Sequence, residues 1–530
     1  MYDIEIRNAL VYDGTDKDAY YANVTINKDK IVYVGDETHS AKRVVNAEGL
    51  ALSPGFIDSH SHSDVAIFKD SHREHVLRMG VTTEIAGQCS HSITPDDGTM
   101  SNETRKTINT SYSPLFPDMT SAIDAVNNLE LGTNQHYFTG HAMLRGTVMG
   151  TQASIADTSQ IERMQKMLES EIKKGSAGIS TGLSYVPGIY SDTKELAMLA
   201  KTAGENGGMY VTHSRSESMG LFDSVQECID IARSANVAVN ISHFKCVGKV
   251  FWERCEKALG MIDTAIANGA DITLDAYPYT AASTTTLSAI PPQFLSGGVE
   301  AFAKSLENPD IVKAIYHEIF EVNDPSWDNS IYYVGLENFL IVRAEHTPWA
   351  IGKTYAQIGE ELCISPFDAM INLLKANHGT VYECRFSMCE ENVEMILKHP
   401  LCMVGSDGIY QLGDLSAHPR AFGTFPRYLG HYIRDKGILS REEGIRRITS
   451  MPAKRYGLRD KGYIKTGYDA DLVLFDYDSI SDNLDFANPF KPNTGIHQVY
   501  SAGKQIIENN EPTGIYNGKY LRRAGATINE

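Results

Sequence analysis

The chain has 530 residues, of which 42% are hydrophobic and 22% charged, with a formal net charge of −19. This is an ordinary globular composition with material for roughly two to four domains. The acidity gives no grip on phosphate backbones or anionic lipid, so neither nucleic acid nor a membrane surface is an expected partner.

The first stretch, "MYDIEIRNALVYDG", alternates like a strand and lacks the basic region and apolar core of a signal peptide. No apolar run approaches a membrane span. Eight sparse cysteines without a CxxC pair point to a reducing compartment, the cytoplasm, and not to a disulfide framework. Residues 1–54 read as short strands, and 460–530 have the same texture in "GYIKTGYDADLVLFDYD" and "GIHQVYSAGKQIIENN". Two strand-rich ends around a different middle predict a small β-sandwich domain built from both termini.

Residues 55–459 alternate strand-like and helix-like segments, the pattern of βα units around a parallel sheet. Eight strand candidates follow in order: "GFIDSHSH", "VTTEIAGQC", "HYFTGHA", "AGISTGLSY", "MYVTHSR", "VAVNISHFK", "DITLDAYPY" and "CMVGSD". Helical stretches such as "DTKELAMLAKTAGENGG" and "SVQECIDIARSAN" separate them. The fold class is α/β, a (β/α)8 TIM-like barrel with its active site at the C-terminal strand ends. The stretch between strands seven and eight is too long for a loop. It predicts an inserted subdomain at about 285–395 over that site.

The strand ends carry a pointed set of residues. Strand one ends in His60 and His62, which alternation turns to one face as a metal pair requires. Strand two ends in Cys89, five in His213, six in His243 and eight in Asp407. Any one of these alone reads as a polar loop residue. Together, imidazole and thiolate at one barrel mouth suit zinc better than magnesium or calcium, and leave Asp407 as proton carrier.

The layout of "HSH" after strand one, histidines after strands five and six, and aspartate after strand eight resembles the amidohydrolase superfamily. More narrowly the chain resembles the D-aminoacylases, or N-acyl-D-amino-acid deacylases. The stretches that carry this are "SPGFIDSHSHSD", "GISTGLSYVPGIYS", "VTHSRSE", "ISHFKCVGK", "DAYPYTAASTTTL", "GSDG" and "HPRAFGTFPRYLG". The resemblance implies a tight zinc on Cys89, His213 and His243, and a second, weaker site at His60 and His62. "IAGQCSHS" departs from the usual Gly-Asn-Cys-Gly pattern, with Gln88 and Ser90 around an intact cysteine.

The implied reaction is hydrolysis of N-acyl-D-amino acids. Zinc lowers the pKa of a bound water towards about 7 and polarises the carbonyl, while Asp407 moves the proton to the leaving nitrogen. The small-molecule substrate carries a carboxylate, which calls for a cation. Lys245 and Arg420 are the candidates, with Tyr279 and Ser283 donating hydrogen bonds and Tyr185 walling the pocket. His141 is expected as a supporting hydrogen-bond partner, and His91 has no assigned part. Arg215 and Glu217 are expected as an ion pair behind His213. Cys246, Cys384, Cys389 and Cys402 are expected as small buried side chains. "STTTLSAIPPQ" lacks the arginine that acid-specific members carry near the strand-seven loop, which favours neutral substrate side chains. The rival readings are a cyclic-amide hydrolase of hydantoinase or dihydroorotase type, and a metal-free inactive homologue.

Overall fold

The computed structural model describes residues 1–108, 114–322, 324–410 and 417–524. Eight consecutive barrel strands run Phe56–Asp58, Val81–Ala86, Asn134–Tyr137 with its continuation Thr139–Gly140, Gly178–Gly182, Met209–His213, Val239–Ile241, Ile272–Ala276 and Cys402–Val404. All inter-strand pairings within the barrel are parallel. The ring closes where the Ser59 amide donates to the Val404 carbonyl (3.2 Å) and the Asp407 amide donates to that of His60 (2.7 Å). Every residue of these strands is buried, as expected for a parallel sheet covered on both faces.

The covering helices form for local reasons. Thr193–Glu205 starts at Asp192, whose side chain accepts from the Glu195 amide, and buries Leu196, Leu199, Ala200 and Ala203. That spacing of three and four is a single helical stripe. Leu221–Ala235 does the same with Val225, Ile229 and Ala232, and stops at Asn236 in the left-handed conformation.

The two termini build one hydrogen-bonded sheet of nine strands. Tyr2–Val11 is its hub, antiparallel to Tyr20–Asn27 and parallel to both Ala41–Asn46 and Ala51–Pro54. Leu472–Phe475 joins the C-terminal strands onto Ala51–Pro54. This is the expected β-domain built from both termini, with a core of its own that includes Ile6, Val24, Leu52 and Leu474. The domain is shorter than 460–530. The tail returns to the barrel, where Tyr520 bridges Gln135 and donates its hydroxyl to the Gly175 carbonyl (3.0 Å).

The insertion spans slightly different limits from 285–395. Its three-stranded sheet starts at Ala281–Thr285 and ends at Tyr382–Phe386, with Phe339–Arg343 at the edge. It has a separate core that includes Phe302, Trp327, Tyr355 and Leu374. The next helix, Glu390–Lys398, buries Val393, Ile396 and Leu397 in the barrel core instead.

Candidate metal centre

The C-terminal ends of strands one, two, five, six and eight bring the candidate ligands together. The donor atoms of His60, His62, Cys89 and Asp407 lie within 4.8 Å of one another, and so do those of Cys89, His213 and His243. Cys89 belongs to both groups. Its Sγ lies 3.4 Å from His60 Nε2 and 3.3 Å from His243 Nε2, and His243 Nε2 lies 3.0 Å from His213 Nδ1. Across the cluster His62 Nε2 stands 3.0 Å from Asp407 Oδ1. All six residues are buried.

The backbone is bent to do this. Cys89, His243 and Asp407 have φ of 52°, 35° and 47°, a conformation that costs a non-glycine residue on the order of 1–3 kcal/mol and persists only where its surroundings enforce it. Gly87, two residues before Cys89, has φ +71° and packs so close to Phe138 that a Cβ would meet its carbonyl at 2.3 Å.

Electrostatics favour a cation. Burial pushes the Cys89 thiol up, but His60 and His243 beside it hold it well below its ordinary value. Burial also opposes ionisation of Asp407, and Arg420, His243 and His62 overcome it, holding the carboxyl well below the usual range. A thiolate and a carboxylate among imidazoles are a donor set that suits zinc. Protein groups stand against the other ring nitrogens of His60, His213 and His243. His60 Nδ1 faces Asp275 Oδ1 (3.2 Å), His213 Nε2 faces Ser184 Oγ (2.7 Å), and His243 Nδ1 lies 3.1 Å from Glu217 Oε1 and 2.7 Å from Lys245 Nζ. Such outer partners fix ring orientation at metal sites.

Above the cluster is a cavity of about 180 Å³, lined by His62, Cys89, His213, His243, Asp407 and residues of the insertion. Lys245, Tyr185 and Ser283 line it as well. Lys245 is also paired with Glu217 at 2.6 Å, and the Tyr185 hydroxyl meets Thr284 Oγ1 at 3.0 Å. Arg420 stands behind Asp407, with Nη2 2.9 Å from Asp407 Oδ2 and 3.1 Å from the Ser283 carbonyl. Its Nε and Nη1 are buried without hydrogen-bond partners.

Tyr279 is not part of the cavity wall: its hydroxyl donates to Asp482 Oδ2 at 3.2 Å. The strand ends at Ala276, and the chain then bends so that the Tyr279 amide bonds the Tyr277 carbonyl. From this turn it is Tyr277 that lines the cavity, under the guanidinium of Arg420 (4.5 Å), with its own hydroxyl buried and unpartnered. The expected Arg215–Glu217 pair does not form. Arg215 binds Glu227 (3.0 Å), while Glu217 turns to Lys245 and His243. His141 is held by Glu195 (2.8 Å) away from the cluster, and His91 lines the cavity. Cys246, Cys384 and Cys402 are buried, whereas Cys389 is partly exposed at a helix start.

Residues 43–311 and 329–507 match the model of the Amidohydrolase family. A D-aminoacylase of Alcaligenes xylosoxydans xylosoxydans is 30% identical over 526 residues, covering 99% of this chain and 98% of that protein. The chain belongs to the amidohydrolase family. A crystal structure of D-aminoacylase superposes on it with a TM-score of 0.85 at 30% identity, covering 99% of this chain and 100% of that one. An N-acyl-D-glutamate deacylase of Bordetella bronchiseptica, complexed with zinc and a phosphonate mimic of the tetrahedral intermediate, gives 0.83 at 27% identity, covering 98% and 99%. Around the strand-end residues this amidohydrolase places two partners that strand-end reading missed, Tyr277 and Asp275, and one that it gave a different partner, Glu217. The signal for Tyr277 was in "DAYPY", one alternation step from the tyrosine chosen.

Proposed function

We propose that this amidohydrolase cleaves the amide bond of N-acyl-D-amino acids, giving a D-amino acid and a carboxylate. The observation that carries the reading is the shared Cys89, set between two histidine pairs and facing Asp407 at the floor of a capped cavity. The D configuration of the substrate rests on the full-length likeness to the D-aminoacylase.

Cys89, His213 and His243 are the tight zinc ligands in this reading, and His60 and His62 with the shared thiolate form the second, weaker site. When bound, zinc supplies Lewis acidity and lowers the pKa of water. Asp407 is ionised and accepts the proton of the attacking water, then returns it to the leaving nitrogen. Glu217 and Asp275 keep the imidazoles of His243 and His60 in place. The substrate α-carboxylate is held by Lys245, Ser283, the unpartnered Tyr277 hydroxyl and the spare donors of Arg420, where charge-assisted bonds are strong. Tyr185, edge-on to His213 at 4.9 Å, walls the reacting carbonyl. The insertion covers the mouth and keeps bulk water from competing. Among the described residues no helix is long and apolar enough to cross a membrane, and a small-molecule substrate in the cytoplasm completes the reading.

The test is a panel of N-acyl-D- and L-amino acids together with a hydantoin, assayed with zinc-loaded and chelator-stripped protein while released amine is quantified. Zinc-dependent release from the D series alone supports the reading. Turnover of the hydantoin in preference to every linear amide would replace it with the cyclic-amide reaction.

A further inference from the structure

The cavity extends from the metal cluster up into the insertion, where Leu287, Leu295, Val299, Ile108 and Val186 make its wall largely aliphatic. Among the described residues that line it, the lysines and arginines are Lys245 and Arg385. Lys245 sits at the metal end, beside His243. Arg385 sits in the roof, so it is the cation a substrate side chain would meet.

Arg385 comes from Tyr382–Phe386, the central strand of the inserted sheet, where it lies opposite Ala282 on one side and Phe339 on the other. Alternation puts Glu383 on the same face, and Glu383 takes the guanidinium. Its Oε1 accepts from Arg385 Nε (2.9 Å) and Nη2 (2.7 Å). Nη1 donates to Ser330 Oγ (3.0 Å), and Nη2 also donates to Ser288 Oγ (2.8 Å) and the Thr285 carbonyl (3.1 Å). The other oxygen of Glu383 accepts from the Tyr355 hydroxyl at 3.1 Å and from the Thr286 hydroxyl. Glu383 has no exposed surface. The pair is thus a closed unit, little screened by solvent, whose positive half is already compensated.

A carboxylate brought into this roof would lose its hydration and find a committed guanidinium with Glu383 behind it. Burying an anion without a free counter-charge is costly. A neutral side chain brings no charge to bury among the aliphatic groups, the hydroxyls and the Asp328 carboxylate, which already accepts from Ser216, Ser218 and the Glu217 amide. We propose that Glu383 is a specificity-determining residue: by neutralising Arg385 in the cavity roof, it restricts the enzyme to N-acyl-D-amino acids with uncharged side chains. This rests on the deacylase reading above. The segment "STTTLSAIPPQ" offers no arginine, yet the strand pairing delivers one from 100 residues further on, and its partner takes the charge away again.

The experiment compares kcat/KM for N-acetyl-D-leucine and N-acetyl-D-glutamate in the wild type, Glu383→Gln, and Glu383→Gln/Arg385→Met. The wild type should favour leucine by at least about tenfold, the order a lost charge-assisted contact is worth. Glu383→Gln should raise the glutamate-to-leucine ratio about ten- to a hundredfold, and the double variant should return it to the wild-type value. The double variant leaves no unpaired buried charge, so it also serves if the single variant folds poorly. Wild-type turnover of the two substrates within a few-fold would overturn the proposal, as would a Glu383→Gln ratio no higher than that of the wild type, or a double-variant ratio as high as that of Glu383→Gln. If neither substrate nor any other N-acyl-D-amino acid is hydrolysed, it is the deacylase reading that fails.

Discussion

Arg420 and Asp407 form a buried ion pair, Nη2 to Oδ2 at 2.9 Å, at the point where the eighth strand reaches the metal cluster. The other carboxylate oxygen of Asp407 faces His62. One aspartate is therefore gripped from behind while its other edge faces His62 and the cavity. If it carries the proton, Asp407→Asn keeps size and shape but cannot accept it. The expected loss is towards the upper part of 10²–10⁴-fold in kcat. Zinc held by Cys89, His213 and His243 should remain, as metal analysis would show. A metal-loaded Asp407→Asn protein within a few-fold of wild type would refute the role.

The same pair gives a second prediction, because Arg420 has donors to spare. Arg420→Ala should raise KM for an N-acyl-D-amino acid, with kcat/KM falling about ten- to a hundredfold, as expected when a charge-assisted contact is lost. The corresponding amide, which has no carboxylate, should lose much less. Steady-state kinetics on the acid and amide pair decide it. Equal losses on both would make Arg420 a support for Asp407 alone.

Cys89 is the one donor common to both ligand groups. Cys89→Ala should therefore lower zinc content and activity together, and deplete both positions instead of one. Equilibrium dialysis against zinc, followed by metal analysis, gives the stoichiometry. Full occupancy in the variant would remove the thiolate from the ligand set.

The residues of the candidate metal centre could be picked out because each falls at the end of a strand whose apolar run is visible, and a barrel turns all such ends to one face. Their local conformations could not. Left-handed φ at Cys89, His243 and Asp407 has no signature in residue type. Tyr277 and Tyr279 could not be told apart in the sequence, because both follow the end of the strand at Ala276 and a tight turn sends their side chains different ways. Glu217 pairs with Lys245 and not with its near neighbour Arg215, since long-range packing of the fifth and sixth strand ends overrides proximity in sequence. Arg385 illustrates the same limit: its place in the cavity depends on a pairing across the whole insertion.

A fourth prediction lies away from the site, on the helix Thr158–Lys174. Glu171 faces the interior there, and its Oε2 is buried without a hydrogen-bond partner. Burial pushes its carboxyl up to about 7, only partly offset by the Thr94 side chain and the Met119 backbone nearby. In the unfolded chain a glutamate titrates near 4.3. The folded state therefore binds this proton more tightly than the unfolded state does. Stability from the protonated group is fully present below about pH 4.3, declines as pH rises, and is lost once pH passes about 7. Glu171→Gln keeps the shape and cannot ionise, so it escapes this loss. The variant should be more stable than wild type at pH 8, by about 1–3 kcal/mol given the size of the shift, with the gap closing towards pH 5. Thermal melts of both proteins across pH 5–8, in one buffer series with zinc held constant, measure it. A Tm difference that stays flat with pH would mean that Glu171 ionises freely in the folded protein.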